Sequence, residues 1–180
     1  CFPKGVHAIM STAQDHQLDF TLLRAVDEVN ERQKRLMFGR VLEHFGGDVT
    51  GKHIAIWGLA FKPRTDDMRE APSVVLIERL LASGAKISTH DPEAMHEAKK
   101  IFGSRVGYHK VNYDALQDAD ALVLVTEWNE FRRPDFERMK KLMKSPVIFD
   151  GRNVYEPQHM EALGFTYYSM GRSTVRGKGA

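Results

Sequence analysis

Residues 54–69 read Ile54-Ala55-Ile56-Trp57-Gly58-Leu59-Ala60-Phe61-Lys62-Pro63-Arg64-Thr65-Asp66-Asp67-Met68-Arg69. A short apolar run that closes on Gly58 and small residues, then gives way to a polar loop and a second apolar segment, is how a parallel-sheet domain opens its first strand-to-helix turn. Ligands of such domains lie at that turn. The loop is long for such a connection, and long loops inside compact domains are functional or mobile. It carries two cations, Lys62 and Arg69, within reach of one bound anion. The plainer alternative is that Gly58 only ends a strand and the charges only keep a loop in water.

Outward from this stretch the pattern predicts strands over 53–57, 86–90, 107–110, 121–125, 146–149 and 166–169. Helices are predicted between them over 73–82, 92–102, 113–117, 134–143 and 157–163. The run Ala121-Leu-Val-Leu-Val125 is apolar on both faces, as a sheet covered by helices on two sides requires. The fold class is therefore α/β, a Rossmann-like, doubly wound parallel sheet. Ahead of it, residues 5–16 place Val6, Ile9, Met10 and Ala13 at helical spacing. Asp19 then offers a cap to a second, long helix that Gly46-Gly47 stops, spanning roughly 40 Å at 1.5 Å per residue. Glu28 with Arg32 and Glu31 with Arg35 are spaced to pair on its polar face. Such a helix either packs on the adjacent domain or forms a spine between domains and subunits. The organisation read from this is a helical segment over 1–47, the sheet domain over 48–172, and a Gly-, Arg- and Lys-rich tail over 173–180 expected to be disordered.

The 180 residues suffice for one full domain with an appendage. A net charge of +2, with basic residues spread among acids, argues against nucleic acid as a partner. No apolar run approaches bilayer length, so no membrane partner is expected, and cytoplasmic residence is the default. The single cysteine, Cys1, excludes an internal disulfide framework and fits a reducing compartment. A chain opening on Cys1-Phe2-Pro3-Lys4 reads as a piece of something longer.

Three features converge at the carboxyl ends of the strands: the loop 58–69, Thr126-Glu127-Trp128 after the fourth strand, and Asp150-Gly151-Arg152-Asn153 after the fifth. The first and fourth strands are expected to be neighbours, so Lys62 and Arg152 are placed to close on a pyrophosphate or on sugar hydroxyls. For Arg152 an ion pair with Asp150 or another nearby acid explains the position equally well. The Gly-x-Gly-x-x-Gly turn is absent, which points away from a dinucleotide and toward another nucleotide. Asp91 stands where a ribose-reading acid would be, but before Pro92 it reads more readily as a helix cap. Cys1 is either an inert residue or a thiolate stabilised by Lys4. No zinc spacing occurs among the histidines, and Asp66-Asp67 read as a solvated loop or as partners of Arg64 or Arg69, so no metal is expected.

Four ordered stretches then resemble a known family. They are Cys1-Phe2-Pro3-Lys4; Gly58-Leu-Ala-Phe-Lys-Pro63 with Thr65-Asp-Asp-Met-Arg-Glu-Ala-Pro-Ser73; Thr126-Glu-Trp128 with Phe131; and Phe149-Asp-Gly-Arg-Asn153. Together they resemble the UDP-glucose/GDP-mannose dehydrogenase family, most of all its bacterial UDP-glucose branch. The resemblance covers the chain up to Arg172. It implies oxidation of UDP-glucose to UDP-glucuronate with two NAD, through a cysteine that captures the aldehyde as a thiohemiacetal and then carries a thioester. By motif, Cys1 is that nucleophile, Lys4 and Arg69 contact NAD, and Phe61, Lys62 and Arg152 contact the UDP-sugar. The long helix implies a homodimer. The family's amino-terminal, NAD-binding domain is missing from these residues, so the piece alone is expected to be inactive. Gly5 stands where the family has an Asp. Two alternatives stay open: a non-catalytic nucleotide-binding or dimerisation module, and a GDP-mannose or UDP-N-acetylmannosamine dehydrogenase.

Overall fold

The computed structural model describes residues 2–177. Two compact units divide the chain between Leu36 and Met37. The first holds helix α1, Phe2–Asp15, and most of helix α2, Thr21–His44. Phe20, not Asp19, closes the first turn of α2: its carbonyl accepts from the amides of Leu23 and Arg24, while the Asp19 carboxylate binds the Thr21 hydroxyl and the Arg24 guanidinium. Glu31 meets the buried Lys34 at 2.7 Å. Ile9, Leu18, Phe20, Leu22 and Val29 are exposed.

The second unit is a seven-stranded sheet. Its strands are β1 His53–Trp57, β2 Lys86–His90, β3 Gly107–Tyr108, β4 Ala121–Leu124, β5 Val147–Asp150, β6 Thr166–Ser169 and β7 Val175–Arg176. The order is β3-β2-β1-β4-β5-β6-β7, parallel throughout except for β7. Read to β6, this is the order of a doubly wound dinucleotide-binding sheet, with its reversal between β1 and β4. Ile54 to Trp57 and all of β4 are fully buried, because helices cover both faces. These helices are α3 Pro72–Ala82, α4 Met95–Phe102, α5 Phe136–Leu142 and α6 Pro157–Ala162, joined by 3-10 turns at Asn112–Leu116 and Asn129–Phe131. The last turns of α2 belong to this unit, and Met37 and Val41 are part of its core.

Pro opens α3 and α6, where its missing N–H has no intrahelical partner to lose. The Asp135 carboxylate accepts from the Arg138 amide and caps α5. Helix α4 starts three residues later than the pattern predicts, because Asp91 holds the amides of Glu93 and Ala94 in a turn ahead of it. The tail needs correction as well. Within the stretch expected to be disordered, Val175 and Arg176 pair antiparallel with Tyr167 and Thr166, and the Gly177 amide donates to the Phe165 carbonyl at 2.9 Å. Without β7, β6 would be an open edge of unpaired backbone groups, and the following chain satisfies them. Residues 178–180 lie outside the described residues. Among the described residues no helix is long and apolar enough to cross a membrane.

Candidate functional site

The sheet reverses between β1 and β4, the place where doubly wound sheets open a ligand crevice at the carboxyl ends of their strands, and the loop geometry follows from close approach there. Gly58 takes φ +90°, and a Cβ on it would lie 2.5 Å from the Thr126 Cβ and 2.6 Å from the Thr126 nitrogen. Only glycine lets the two loops meet this closely. The Thr126 hydroxyl then donates to the Ala60 carbonyl at 2.6 Å, and the Ser73 hydroxyl, at the start of α3, donates to the Leu59 carbonyl at 2.5 Å. Below them Asp91, buried, accepts from the Leu59 amide at 2.7 Å, the Ala60 amide at 3.0 Å and the Trp128 indole at 3.1 Å. A dinucleotide-binding turn offers those amides to a pyrophosphate. Here an internal carboxylate has taken them, so the turn does not fit a dinucleotide.

Past Ala60 the loop bonds to itself. The Phe61 amide donates to the Asp67 carbonyl at 2.9 Å, and the Arg69 guanidinium grips the Asp67 carboxylate through Nε at 2.9 Å and Nη2 at 2.8 Å. Hydrogen bonding to Asp67, and then its charge, raise the Arg69 pKa. Arg69 is thus neutralised locally, and of the two cations first read as one anion site only Lys62 is without a partner among the described residues. Lys62 is exposed and Phe61 half-buried.

Arg152 closes the other side. Its backbone amide donates to Asp150, while its guanidinium donates from Nε to the Val125 carbonyl at 2.7 Å and from Nη2 to the Phe61 carbonyl at 3.4 Å. Its ion-pair partner is Glu127, at 3.2 Å, not the Asp150 carboxylate. This is a charge contact, since the single Nε hydrogen goes to Val125. The structure therefore brings Arg152 to the backbone of Phe61, on one rim with Lys62. Arg69 lies in the same loop, turned to Asp67. Lys4 is exposed on α1 in the first unit, and Cys1 lies outside the described residues. At Gly5 an added Cβ meets nothing within 4 Å. No group of three or more His, Cys, Asp or Glu is placed to hold a metal among the described residues.

Asp150 was legible only as part of a motif. Fully buried, it accepts from the amides of Arg152, Val154 and Tyr155 at 2.9, 2.7 and 3.1 Å and from the Tyr167 hydroxyl at 2.8 Å, which shapes the turn that presents Arg152. Burial and the Asp150 charge push the Tyr155 and Tyr167 phenols well up. Sequence reasoning missed the pairing of His90 with Glu130, at 2.6 Å, which ties the turn after Trp128 to the end of β2. The one sequence signal for Asp91 and Asp150 is an acid at the carboxyl end of a strand, in His90-Asp91 and in Phe149-Asp150.

Two histidines give the unit a pH dependence. His44 stands edge-on to Phe45, Phe149 and Tyr168; burial first, then Arg176 and Lys52, hold it below its ordinary 6.5. Burial likewise lowers His109, with His53 and His90 adding and Asp114 opposing. Both resist protonation in the fold, so the unfolded chain protonates first. Their contribution is therefore complete above 6.5 and is lost as pH falls below it toward the folded values. Urea midpoints should be lower at about pH 5.5 than at about pH 7.5, with the difference reduced in the His44→Gln/His109→Gln double variant.

Comparison with known proteins agrees with this geometry. Residues 55–157, more than half the chain, match the UDP-glucose/GDP-mannose dehydrogenase family, UDP binding domain. The chain is 46% identical over 177 residues to the UDP-glucose 6-dehydrogenase of Pseudomonas aeruginosa and 43% identical over 172 residues to that of Rhizobium meliloti. Each match covers 96% of this chain and 39% of the relative, so the chain spans well under half the length of these curated proteins. The solved structure of a UDP-glucose dehydrogenase from Pyrobaculum islandicum superposes with a TM-score of 0.76 at 32% identity, covering 86% of this chain and 34% of that one. A doubly wound sheet that holds Arg152 to the Phe61 carbonyl and spends the amides of its β1 turn on Asp91 thus stands in a chain that belongs to the UDP-glucose/GDP-mannose dehydrogenase family.

Proposed function

We propose that this chain supplies the UDP-sugar-binding part of a UDP-glucose 6-dehydrogenase, with residues 48–172 holding the nucleotide sugar and residues 1–47 pairing two copies. The observation that carries the reading is the joint placement of Phe61, Lys62 and Arg152 at the β1/β4 crevice, in a chain whose relatives at 46% and 43% identity bear that name. Lys62 adds a point charge and Arg152 the guanidinium hydrogens not given to Val125 and Phe61, a combination suited to a diphosphate. Exposed Leu22 and Val29 on α2 support a second copy as partner.

The parent reaction takes the sugar's C6 alcohol to a carboxylate. NAD supplies the oxidising power, two per sugar, and is held by sequence other than residues 1–180, since the β1 turn has spent its amides on Asp91. Within this chain Cys1 adds its sulfur to the aldehyde carbon, and hydrolysis of the later thioester returns the thiol. Lys4 and Arg69 would add contacts to the cofactor from this side, Arg69 on release from Asp67. The site works in a cytoplasmic enzyme.

Titration calorimetry on the 180-residue chain tests the reading. UDP and UDP-glucose should bind, GDP-mannose should not, and Arg152→Ala should weaken UDP binding about tenfold or more through loss of a charge-assisted contact. The chain by itself should make no NADH from UDP-glucose and NAD. Heat with GDP-mannose alone would move the chain to that branch. Gly5 favours a second reading, a non-catalytic module. Fusions to a dinucleotide-binding domain, with Gly5 and with Gly5→Asp, decide it: two folded, UDP-glucose-binding and silent fusions would establish the module.

A further inference from the structure

Asp91 does more in this fold than its place in the sequence suggests. It is 1% exposed, and no cation pairs with it among the described residues. Five donors surround its carboxylate. One oxygen accepts from the amides of Leu59 and Ala60 and from the indole of Trp128; the other accepts from the amides of Glu93, at 2.9 Å, and Ala94, at 2.8 Å. The second oxygen holds the turn ahead of α4, whose N-cap position is Ala94. The first gathers two loops that are otherwise far apart in sequence, the β1 turn that continues into Phe61 and Lys62, and the β4 loop that holds Glu127 and Trp128.

Arg152 spans the same two loops from the other side, reaching Val125, Glu127 and the Phe61 carbonyl. Its reach is correct only while the loops keep their spacing. Gly58 and Thr126 set how close the loops come, and Asp91 sets how they are aligned.

We propose that Asp91 is a positioning residue for the nucleotide-sugar crevice, an internal anion whose carboxylate aligns the loop of Phe61 and Lys62 with the loop of Glu127 and so places Arg152. The proposal rests on the reading of that crevice as a UDP-sugar site.

Asp91→Asn separates this role from holding the turn ahead of α4. Asn and Asp serve such a turn alike, so that role alone is kept. An amide, however, has one acceptor oxygen and must turn its NH2 toward one of the two sets of donors. In the full 180-residue chain, Asp91→Asn should still unfold cooperatively. At a temperature where it and the wild type are both folded, the Leu59 and Ala60 amides should exchange with solvent about tenfold faster or more, and UDP should bind about tenfold more weakly or worse. Wild-type exchange and wild-type UDP affinity in Asp91→Asn would overturn the proposal. Should Asp91→Asn fail to fold, Trp128→Phe removes a single donor and leaves the turn ahead of α4 intact; UDP binding about threefold weaker or worse supports the alignment role, and unchanged binding overturns it. A wild-type chain that gives no heat with UDP overturns the reading of the crevice itself, a result distinct from equal binding by wild type and variant.

Discussion

Gly58→Ala is expected to cost about 3 kcal/mol or more, a large share of the stability of a domain this size. Two costs add. A backbone at φ +90° strains any residue with a Cβ, by about 1 kcal/mol or more. The new methyl would also sit 2.5 Å from the Thr126 Cβ and 2.6 Å from its backbone nitrogen, closer than any relaxed contact. Relief would require the end of β4 to retreat from β1, against the backbone bond from Val125 to Trp57 and the hydroxyl bond from Thr126 to Ala60. Overpacking of this kind costs about 1–3 kcal/mol by itself. Urea denaturation of the two proteins measures the difference, and a loss below about 1 kcal/mol would show that the loops part easily. The same variant should lose UDP binding while still folded, because Arg152 reaches across the interface that the methyl pries open.

Asp150→Ala is the second large effect, expected at about 3 kcal/mol or more. The carboxylate is fully buried and is the acceptor for three backbone amides and for the Tyr167 hydroxyl. Truncation leaves those donors in a dry site, each uncompensated group costing about 1–3 kcal/mol where it finds no water. Asp150 holds three amides of the turn from Gly151 to Tyr155, that of Arg152 among them, so Arg152 loses its orientation together with the stability. Tyr167→Phe, which removes one of the four donors and leaves the carboxylate, should cost about 1 kcal/mol. Equilibrium denaturation of both variants gives the comparison. A smaller loss for Asp150→Ala than for Tyr167→Phe would refute the account.

Much of the fold was legible because its signals are local. The apolar runs at 54–57 and 121–125 mark strands buried on both faces, and Pro72 and Pro157 mark helix starts; the structure has strands and helices there. The neighbouring of β1 and β4, and with it the position of the crevice, followed from the order that such sheets adopt. Boundaries were less legible. Helix α4 begins late because a carboxylate ahead of it captures two amides, and the capping role of Asp19 passes to Phe20. Residues 175–176 form a strand despite a composition that suits a disordered tail, because an open strand edge lies beside them.

At the site, the sequence by itself determined which side chains are brought to the crevice loops: Phe61 and Lys62 after β1, Glu127 after β4, Arg152 after β5. Strand order and chain direction are enough for that. Only the tertiary structure decided what those groups hold. Arg69 turned to Asp67, Arg152 to Glu127 and to the carbonyls of Val125 and Phe61, and Asp91 away from solvent into the turn. The physical reason is distance along the chain. A periodic apolar pattern is settled within a few residues, but Arg152 and Phe61 lie 91 positions apart, and Thr126 and Ala60 lie 66 apart. Which buried donor meets which acceptor depends on how two loops pack in space. That packing is set by a missing Cβ at Gly58 and by the desolvation cost of every polar group left unpaired.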